Sequence, residues 1–254
     1  MSKGAHHPLL EIRELQKNFG GIQAIQNLSL DVASGEVLGI IGPNGAGKTA
    51  LINCITGFYS ATSGTILFAG ENITRLQMYE IGRRGIARTF QNVRLFRRMT
   101  VLENVVCGDR DWVARPLRAL FRRSDDALRR AALELLDRMH LVDKADQLAG
   151  SLAYGEARRL EVARALATRP KLLFLDEPSA GMNEEETQAL AKDIRRALEL
   201  VPSMVVIEHD IEFIRSLSHR LVAMDYGRKI AEGPAAEVFA NPLVAEAYLG
   251  VAHG

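Results

Sequence analysis

A glycine-rich segment of eight residues has the residue types and the spacing needed to hold a phosphate group. It reads GPNGAGKT at positions 42–49, the pattern GxxxxGK followed by Ser or Thr, between a run that predicts a strand and one that predicts a helix. Its glycines let backbone N–H groups turn around an anion, Lys48 would reach the outer phosphates, and Thr49 would offer a hydroxyl to Mg²⁺. We therefore predict a nucleoside triphosphate and a magnesium ion at Gly42, Pro43, Asn44, Gly45, Ala46, Gly47, Lys48 and Thr49.

Two adjacent carboxylates end a second apolar run, LLFLDE, at positions 172–177. Placing two acids at the end of a buried strand is costly unless they serve a cation or a water molecule. We predict that Asp176 belongs to the coordination shell of Mg²⁺ and that Glu177 acts on the attacking water. Another acidic pattern, DKAD at 143–146, resembles a guanine-reading motif, but it follows a helical run rather than a buried strand and is discounted.

A second device that could bind an anion lies in SLAYGEARRLEVARAL, at positions 151–166. Gly155 precedes a long amphipathic run that Pro170 ends, so the sequence predicts a helix with a flexible glycine at its N-terminus. One chain seldom needs two such devices for one phosphate, which raises the question of what the second one serves.

Short apolar runs predict the strands that would position these groups. Such runs suit strands buried on both faces, and the helical stretches beside them indicate an α/β fold with a mainly parallel sheet. The runs lie at 37–42, 172–177, 204–209 and 221–225.

The remaining regions follow two other patterns. Apolar and polar residues alternate near the start of the chain and at 64–70, which predicts an added antiparallel β layer. Between about residue 92 and residue 150 the pattern is helical and rich in charge. We interpret the chain as one domain, with a core over about 1–91 and 156–254 and a helical subdomain over about 92–155 that ends at the segment containing Gly155.

The composition excludes some classes of protein. The 254 residues carry 32 basic and 31 acidic side chains, a net charge of +1, which argues against a protein whose main task is to neutralise nucleic-acid phosphates. Cys54 and Cys107 have no CxxC or histidine neighbour, so we expect a reduced, cytoplasmic protein without disulfides. We also expect no signal peptide and no membrane helix, because no apolar run approaches the required length of about 18 residues.

Seven motifs, in their order along the chain, resemble those of the ATP-binding-cassette (ABC) ATPases, and the resemblance covers nearly the whole chain. The family has a P-loop NTPase fold of the RecA-like type, and two of its domains pair head to tail around ATP. That pairing implies that the helix after Gly155 acts on a nucleotide held by the other domain. The motifs are Phe19, GPNGAGKT, Gln91 of RTFQN, LAYGE in place of the LSGGQ signature, LLFLDEP, the loop Ser179 to Asn183, and His209.

The resemblance implies a role for each matching residue. Phe19 would stack on adenine, Gln91 would touch Mg²⁺ or its water, and His209 would hold the γ-phosphate and the attacking water beside Glu177. Five residues would act on the other domain's nucleotide, with Ala153 standing where many relatives have serine and Asn183 where many have aspartate. They are Ala153, Tyr154, Gly155, Glu156 and Asn183.

A narrower resemblance, to the ATP-binding subunits of branched-chain amino acid importers, is carried by the segments 88–105, LAYGEARRLEVARAL, AGMN and EAYLG. It implies transmembrane permease subunits, a second ATPase subunit expected to form a heterodimer, an indirect link to a periplasmic or extracellular substrate-binding protein, and a peripheral place on the cytoplasmic face of the cell membrane. The motifs leave open the amino acid that is carried and the choice between homodimer and heterodimer.

Two alternatives stay open at this level. One is an ATPase for lipopolysaccharide or another lipid-like cargo, which shares the tail; the other is a soluble ABC ATPase outside transport. A DNA-maintenance version of the latter needs a coiled-coil insertion longer than the roughly 60 residues found here.

Two surface segments invite an interpretation. The segment 92–99 mixes apolar residues such as Phe96 with arginines, the composition of a contact surface, and in the resembled family this region receives a short cytoplasmic helix of the transporter. The basic stretch 114–130 suits either a solvated helical face or contact with anionic lipid headgroups.

Overall fold

The computed structural model describes residues 8–109, 126–201 and 203–249. The chain divides into two compact units, one formed by Met1–Ile86 with Pro202–Gly254 and the other by Ala87–Val201. The predicted stretch 114–130 lies largely outside the described residues, as does the end of the EAYLG tail. None of the described helices is both long enough and apolar enough to cross a membrane.

The first unit contains two groups of strands. The strands are β1 (Leu10–Phe19), β2 (Ile22–Val32), β3 (Val37–Ile41), β4 (Ser63–Phe68), β5 (Glu71–Asn72), β8 (Met204–Ile207), β9 (Arg220–Asp225) and β10 (Arg228–Gly233). An antiparallel sheet has the order β2-β1-β4-β5. In the other group β3 pairs in parallel with both β8 and β9, while β10 runs antiparallel to β9. The helices are α1 (Lys48–Ile55), α2 (Met78–Arg84), α7 (Ile211–Leu217), α8 (Ala235–Ala240) and α9 (Pro242–Leu249).

The central strands of this unit are apolar and wholly buried. All five residues of β3 and all four of β8 are buried. Gly39 is required in β3, since a Cβ atom there would lie 2.3 Å from the Leu221 side chain. The predicted parallel strands at 37–42, 204–209 and 221–225 and the antiparallel layer are thereby confirmed.

The second unit carries the predicted strand at 172–177 and four of the described α-helices. Its strand β7 (Leu172–Asp176) is wholly buried and neighbours β6 (Ile86–Arg88). Residues 92–150, as far as they are described, form helices and turns without a strand, as predicted. The helices are α3 (Val101–Val106), α4 (Asp126–Arg138), α5 (Tyr154–Ala167) and α6 (Glu184–Ala197).

Candidate active site

The predicted phosphate loop joins β3 to α1 in the first unit. Gly42 has φ 152° and Gly47 has φ 97°, so both adopt backbone angles that side chains disfavour. A Cβ atom would lie 2.2 Å from the Met224 carbonyl at Gly42 and 2.4 Å from the Ala24 carbonyl at Gly47. Only glycine fits at these two positions, which explains the spacing of the motif.

Lys48 begins α1 and points back into its own loop. Its ammonium group donates to the carbonyl oxygens of Gly42, at 2.6 Å, and Pro43, at 3.0 Å, and the residue is buried. Thr49, one residue later, is exposed in the first turn of the helix. The fixed ammonium group of Lys48 at the start of a helix suits a bound phosphate. The accessible hydroxyl of Thr49 suits Mg²⁺, which prefers oxygen ligands.

Phe19, the residue predicted to stack on adenine, ends β1 with 41% of its surface exposed. Its ring lies edge-on to Tyr59 with the centroids 5.0 Å apart, and the Lys17 ammonium sits 4.7 Å from its centroid. An exposed aromatic ring with a fixed orientation can stack on a base. Sequence reasoning missed Tyr59 and Lys17, although Lys17 is two residues from Phe19 and therefore on the same face of the strand.

His209 follows β8 in the first unit and is exposed. Its backbone N–H donates to the carboxylate of the preceding Glu208, at 2.9 Å, and Glu208 is itself buried. The next residue, Asp210, caps α7 by accepting the Phe213 N–H. These local bonds fix the chain on both sides of His209, whose predicted role toward the γ-phosphate stays a prediction.

In the second unit, Asp176 ends β7 as a buried carboxylate that pairs with Arg88. The Arg88 guanidinium lies 2.9 Å from an Asp176 oxygen, and the two side chains are 11% and 4% exposed. Burial raises the pKa of Asp176, and Arg88 partly opposes that rise. Sequence reasoning missed Arg88, because it lies 88 residues away and no spacing rule links a strand residue to an acid on another strand.

The structure brings together two predicted catalytic residues, Gln91 and Glu177. The Gln91 amide donates to a Glu177 oxygen at 2.7 Å. Glu177 has φ 47°, a left-handed backbone conformation that is uncommon for a residue with a side chain and is found repeatedly at functional sites. The second unit thus presents Asp176, Glu177 and Gln91 as one set of oxygen and amide groups.

The helix α5 begins at Tyr154, two residues before the predicted start after Gly155, with Ala153 as its N-cap. Ala153 has no side-chain acceptor, so one half of a capping box is missing; the other half is present, because the Glu156 carboxylate accepts the Ala153 N–H at 3.2 Å. Lys144 bonds to the other oxygen of Glu156 and lowers its pKa. The residue Asn183, predicted at the partner's nucleotide, caps α6 by accepting the Glu186 N–H at 2.9 Å.

The amphipathic pattern of α5 did not reveal which charged residues are buried. Arg158 and Glu161 are each 2% exposed and contact the segment that contains Gln91. Arg158 donates to the carbonyl oxygens of Phe90, at 2.8 Å, and Gln91. Their spacing of three residues predicts an ion pair on a helix, but it does not predict that the ion pair is buried.

Comparison with known proteins now defines the class. The family model of the ABC transporter matches residues 25–180, and a model described as the branched-chain amino acid ATP-binding cassette transporter matches residues 228–254. This chain therefore belongs to the ABC transporter family, whose ATP-binding domain it carries, and the predicted α/β fold is confirmed as that of the family's ATPase cassettes.

Individual relatives are similar over almost their full length. The high-affinity branched-chain amino acid transport ATP-binding protein BraF of Pseudomonas aeruginosa is 41% identical over 252 residues, 96% of this chain and 99% of BraF. The corresponding LivG protein of Escherichia coli K12 is 41% identical over 253 residues, again covering 96% of this chain and 99% of LivG. Among solved structures, the ATP-binding cassette MJ1267 of an ABC transporter matches with a TM-score of 0.85 and 33% identity, covering 95% of this chain and 99% of MJ1267.

Proposed function

We propose that this chain is the ATP-hydrolysing subunit of an importer for branched-chain or similar hydrophobic amino acids. The observation that carries the cargo class is the similarity to BraF and LivG over 96% of the chain, together with the match of residues 228–254 to a branched-chain amino acid transporter model. The same match supports this function over the export of a lipid-like cargo or a soluble role outside transport. The chemistry rests on the site residues described above.

The phosphate loop of the first unit would hold the phosphates of ATP, and the acidic set of the second unit would supply ligands for Mg²⁺. The residues fit the ion, because Thr49, Asp176 and Gln91 offer hydroxyl, carboxylate and amide oxygens, the ligands that Mg²⁺ takes in proteins. When bound, the ion neutralises charge that develops on the phosphate oxygens. Lys48, already fixed beside the loop carbonyls, holds the β- and γ-phosphates.

Hydrolysis needs a water molecule that attacks the γ-phosphorus and loses a proton. Glu177 accepts that proton as the bond to the bridging oxygen of ADP breaks, and ADP and phosphate leave. The Gln91 amide, 2.7 Å from the Glu177 carboxylate, holds this base in one orientation. His209 acts as a second contact to the γ-phosphate, and Phe19 binds the adenine ring.

Two such domains pair head to tail, so the N-terminal end of α5 meets the nucleotide of the other subunit. Because Ala153 supplies no hydroxyl, the anion is held there by the Gly155 N–H and the helix dipole. A partner with a serine in that position would make the two ATP sites unequal. We propose that the second subunit is such a related ATPase, in which case the pair is a heterodimer with two unequal ATP sites.

The surface around Phe96 suits the membrane subunits. Phe96 is 54% exposed, while its backbone is fixed by the buried Asn104, which accepts the Phe96 N–H at 3.0 Å and donates to its carbonyl at 3.1 Å. The Arg164 guanidinium lies 5.5 Å from the ring centroid. A fixed loop that presents an apolar ring among arginines suits a short helix of the permease, and this supports the proposal that the chain lies at the cytoplasmic face of the membrane.

A transport assay tests the proposal. The chain would be assembled with the permease, the second ATPase subunit and the substrate-binding protein in liposomes, and ATP-dependent uptake of leucine would be compared with that of lysine. Leucine uptake that is lost in Lys48→Ala supports the function. Uptake of neither, from a complex that hydrolyses ATP, would contradict the cargo class.

A further inference from the structure

Tyr154, at the start of α5, occupies a position where the family's signature has a glycine, and its side chain contacts a residue in the next turn of the helix. Tyr154 aligns with the third letter of LSGGQ, and its hydroxyl accepts a hydrogen bond from Arg158 at 3.0 Å. The Arg158 guanidinium lies 5.4 Å from the centroid of the Tyr154 ring. Tyrosine and arginine at positions i and i+4 thus make a pair that glycine could not form.

Arg158 joins this tyrosine to the segment that carries Gln91. One of its terminal nitrogens donates to the Phe90 carbonyl and the other to the Gln91 carbonyl, while its side chain is only 3% exposed. Glu161, which pairs with Arg158 at 3.4 Å, accepts the backbone N–H groups of Phe90 and Arg94. The planar guanidinium of an arginine has several N–H donors, so it can donate to two carbonyl groups and a hydroxyl at the same time.

The chain of contacts continues in both directions. Beyond the Arg158 contacts, the Gln91 side chain donates to Glu177 at 2.7 Å. On the other side, the Tyr154 ring packs on Gly181, where an added Cβ atom would lie 3.3 Å from it, and Gly181 has φ 79°. The ring therefore touches the loop that follows Glu177 as well as the arginine that holds Gln91.

We infer that Tyr154 and Arg158 are positioning residues that couple the N-terminal end of α5 to the hydrogen bond between Gln91 and Glu177. The inference rests on the proposed function, since it requires that α5 contacts a nucleotide and that Glu177 is the base. A displacement of Tyr154 by the partner's nucleotide shifts Arg158, and with it the backbone carbonyl groups of Phe90 and Gln91. Binding at the partner's site thereby sets the orientation of the base in this chain.

The test uses Tyr154→Phe, which removes only the hydroxyl, with Tyr79→Phe on the exposed face of α2 as the matched control. In the assembled complex we expect Tyr154→Phe to lower kcat about 3- to 10-fold, the range for one lost hydrogen bond, with the ATP concentration for half-maximal rate changed less than about twofold. Amide hydrogen exchange at residues 90–94 in the nucleotide-free chain should become faster in Tyr154→Phe and stay unchanged in Tyr79→Phe.

A second variant separates coupling from simple loss of packing. Arg158→Lys keeps the charge but cannot reach two carbonyls and a hydroxyl, so the double variant Tyr154→Phe/Arg158→Lys should be no slower than Arg158→Lys alone. Losses that multiply, or a Tyr154→Phe protein with wild-type kcat and exchange, would overturn the inference. Because the exchange measurement needs no hydrolysis, a wild-type complex without ATPase activity would refute the proposed function and leave this result readable.

Discussion

The buried pair of Arg88 and Asp176 gives the sharpest prediction of stability. The nitrogen and oxygen atoms are 2.9 Å apart and both side chains are almost inaccessible, so Arg88→Met leaves a carboxylate that water cannot solvate. Breaking one side of a buried ion pair costs about 3 to 5 kcal/mol. For a protein of this size, about 2–4 °C of melting temperature is lost per kcal/mol, so we expect the melting temperature to fall by roughly 6 to 20 °C without nucleotide or Mg²⁺.

The effect should depend on pH with a definite sign. Burial raises the pKa of Asp176, although Arg88 opposes that rise, so the folded state loses stability as the pH rises from the ordinary pKa of an aspartate to the raised folded pKa. Removing Arg88 raises that pKa further, so the difference in stability between the variant and the wild type should be largest at neutral pH. The difference should shrink as the pH falls toward the ordinary pKa range of an aspartate.

Calorimetry or thermal fluorescence at several pH values would measure this. Arg13→Met is the matched control, because Arg13 pairs with Glu11 at 2.6 Å but is 63% exposed, and exposed pairs stabilise little. An Arg88→Met protein that melts like Arg13→Met at neutral pH would refute the reasoning.

Three further predictions concern function. Glu177→Gln should keep ATP binding and lower the rate of hydrolysis by about 10²-fold or more, as expected when a general base is lost, and single-turnover phosphate release checks this; an unchanged rate in the assembled complex would remove Glu177 from that role. Phe96→Asp should detach or uncouple the permease while nucleotide binding stays normal, which co-purification with the membrane subunits would show; normal assembly and transport would count against the contact. Ala153→Ser should raise the affinity of ATP-driven pairing about tenfold, the effect of a charge-assisted hydrogen bond, as measured by sedimentation, and equal affinities would argue against inequivalent ATP sites.

The parts of the fold that could be predicted depend on short-range patterns. Runs of consecutive apolar residues identified β3, β7, β8 and β9 because strands covered on both faces need no polar side chains. The phosphate loop was predictable for another local reason, since its backbone angles restrict Gly42 and Gly47 to one residue type.

Contacts between distant segments could not be predicted in this way. Arg88 pairs with an acid 88 positions later, and Arg158 holds carbonyl groups 67 and 68 positions earlier. The pairing of such distant residues depends on which helices and strands are neighbours in the fold. The local periodicity of the sequence does not show which elements are neighbours. The burial of Arg158 and Glu161 also reverses the usual expectation that charged residues of an amphipathic helix face water. Lys144, which lies in the discounted DKAD pattern, forms an ion pair with Glu156. This pair could not be predicted either, because Glu156 belongs to a separate segment of the chain.

The most direct test of the central claim is the rate of phosphate release by the complete importer complex, with its substrate-binding protein supplied with one amino acid at a time. An ATPase subunit of a branched-chain amino acid importer should hydrolyse ATP faster with leucine, isoleucine or valine than with lysine or glutamate, and the stimulated rate should vanish in the Glu177→Gln chain. ATP hydrolysis that no hydrophobic amino acid stimulates, or stimulation that survives Glu177→Gln, would contradict the claim.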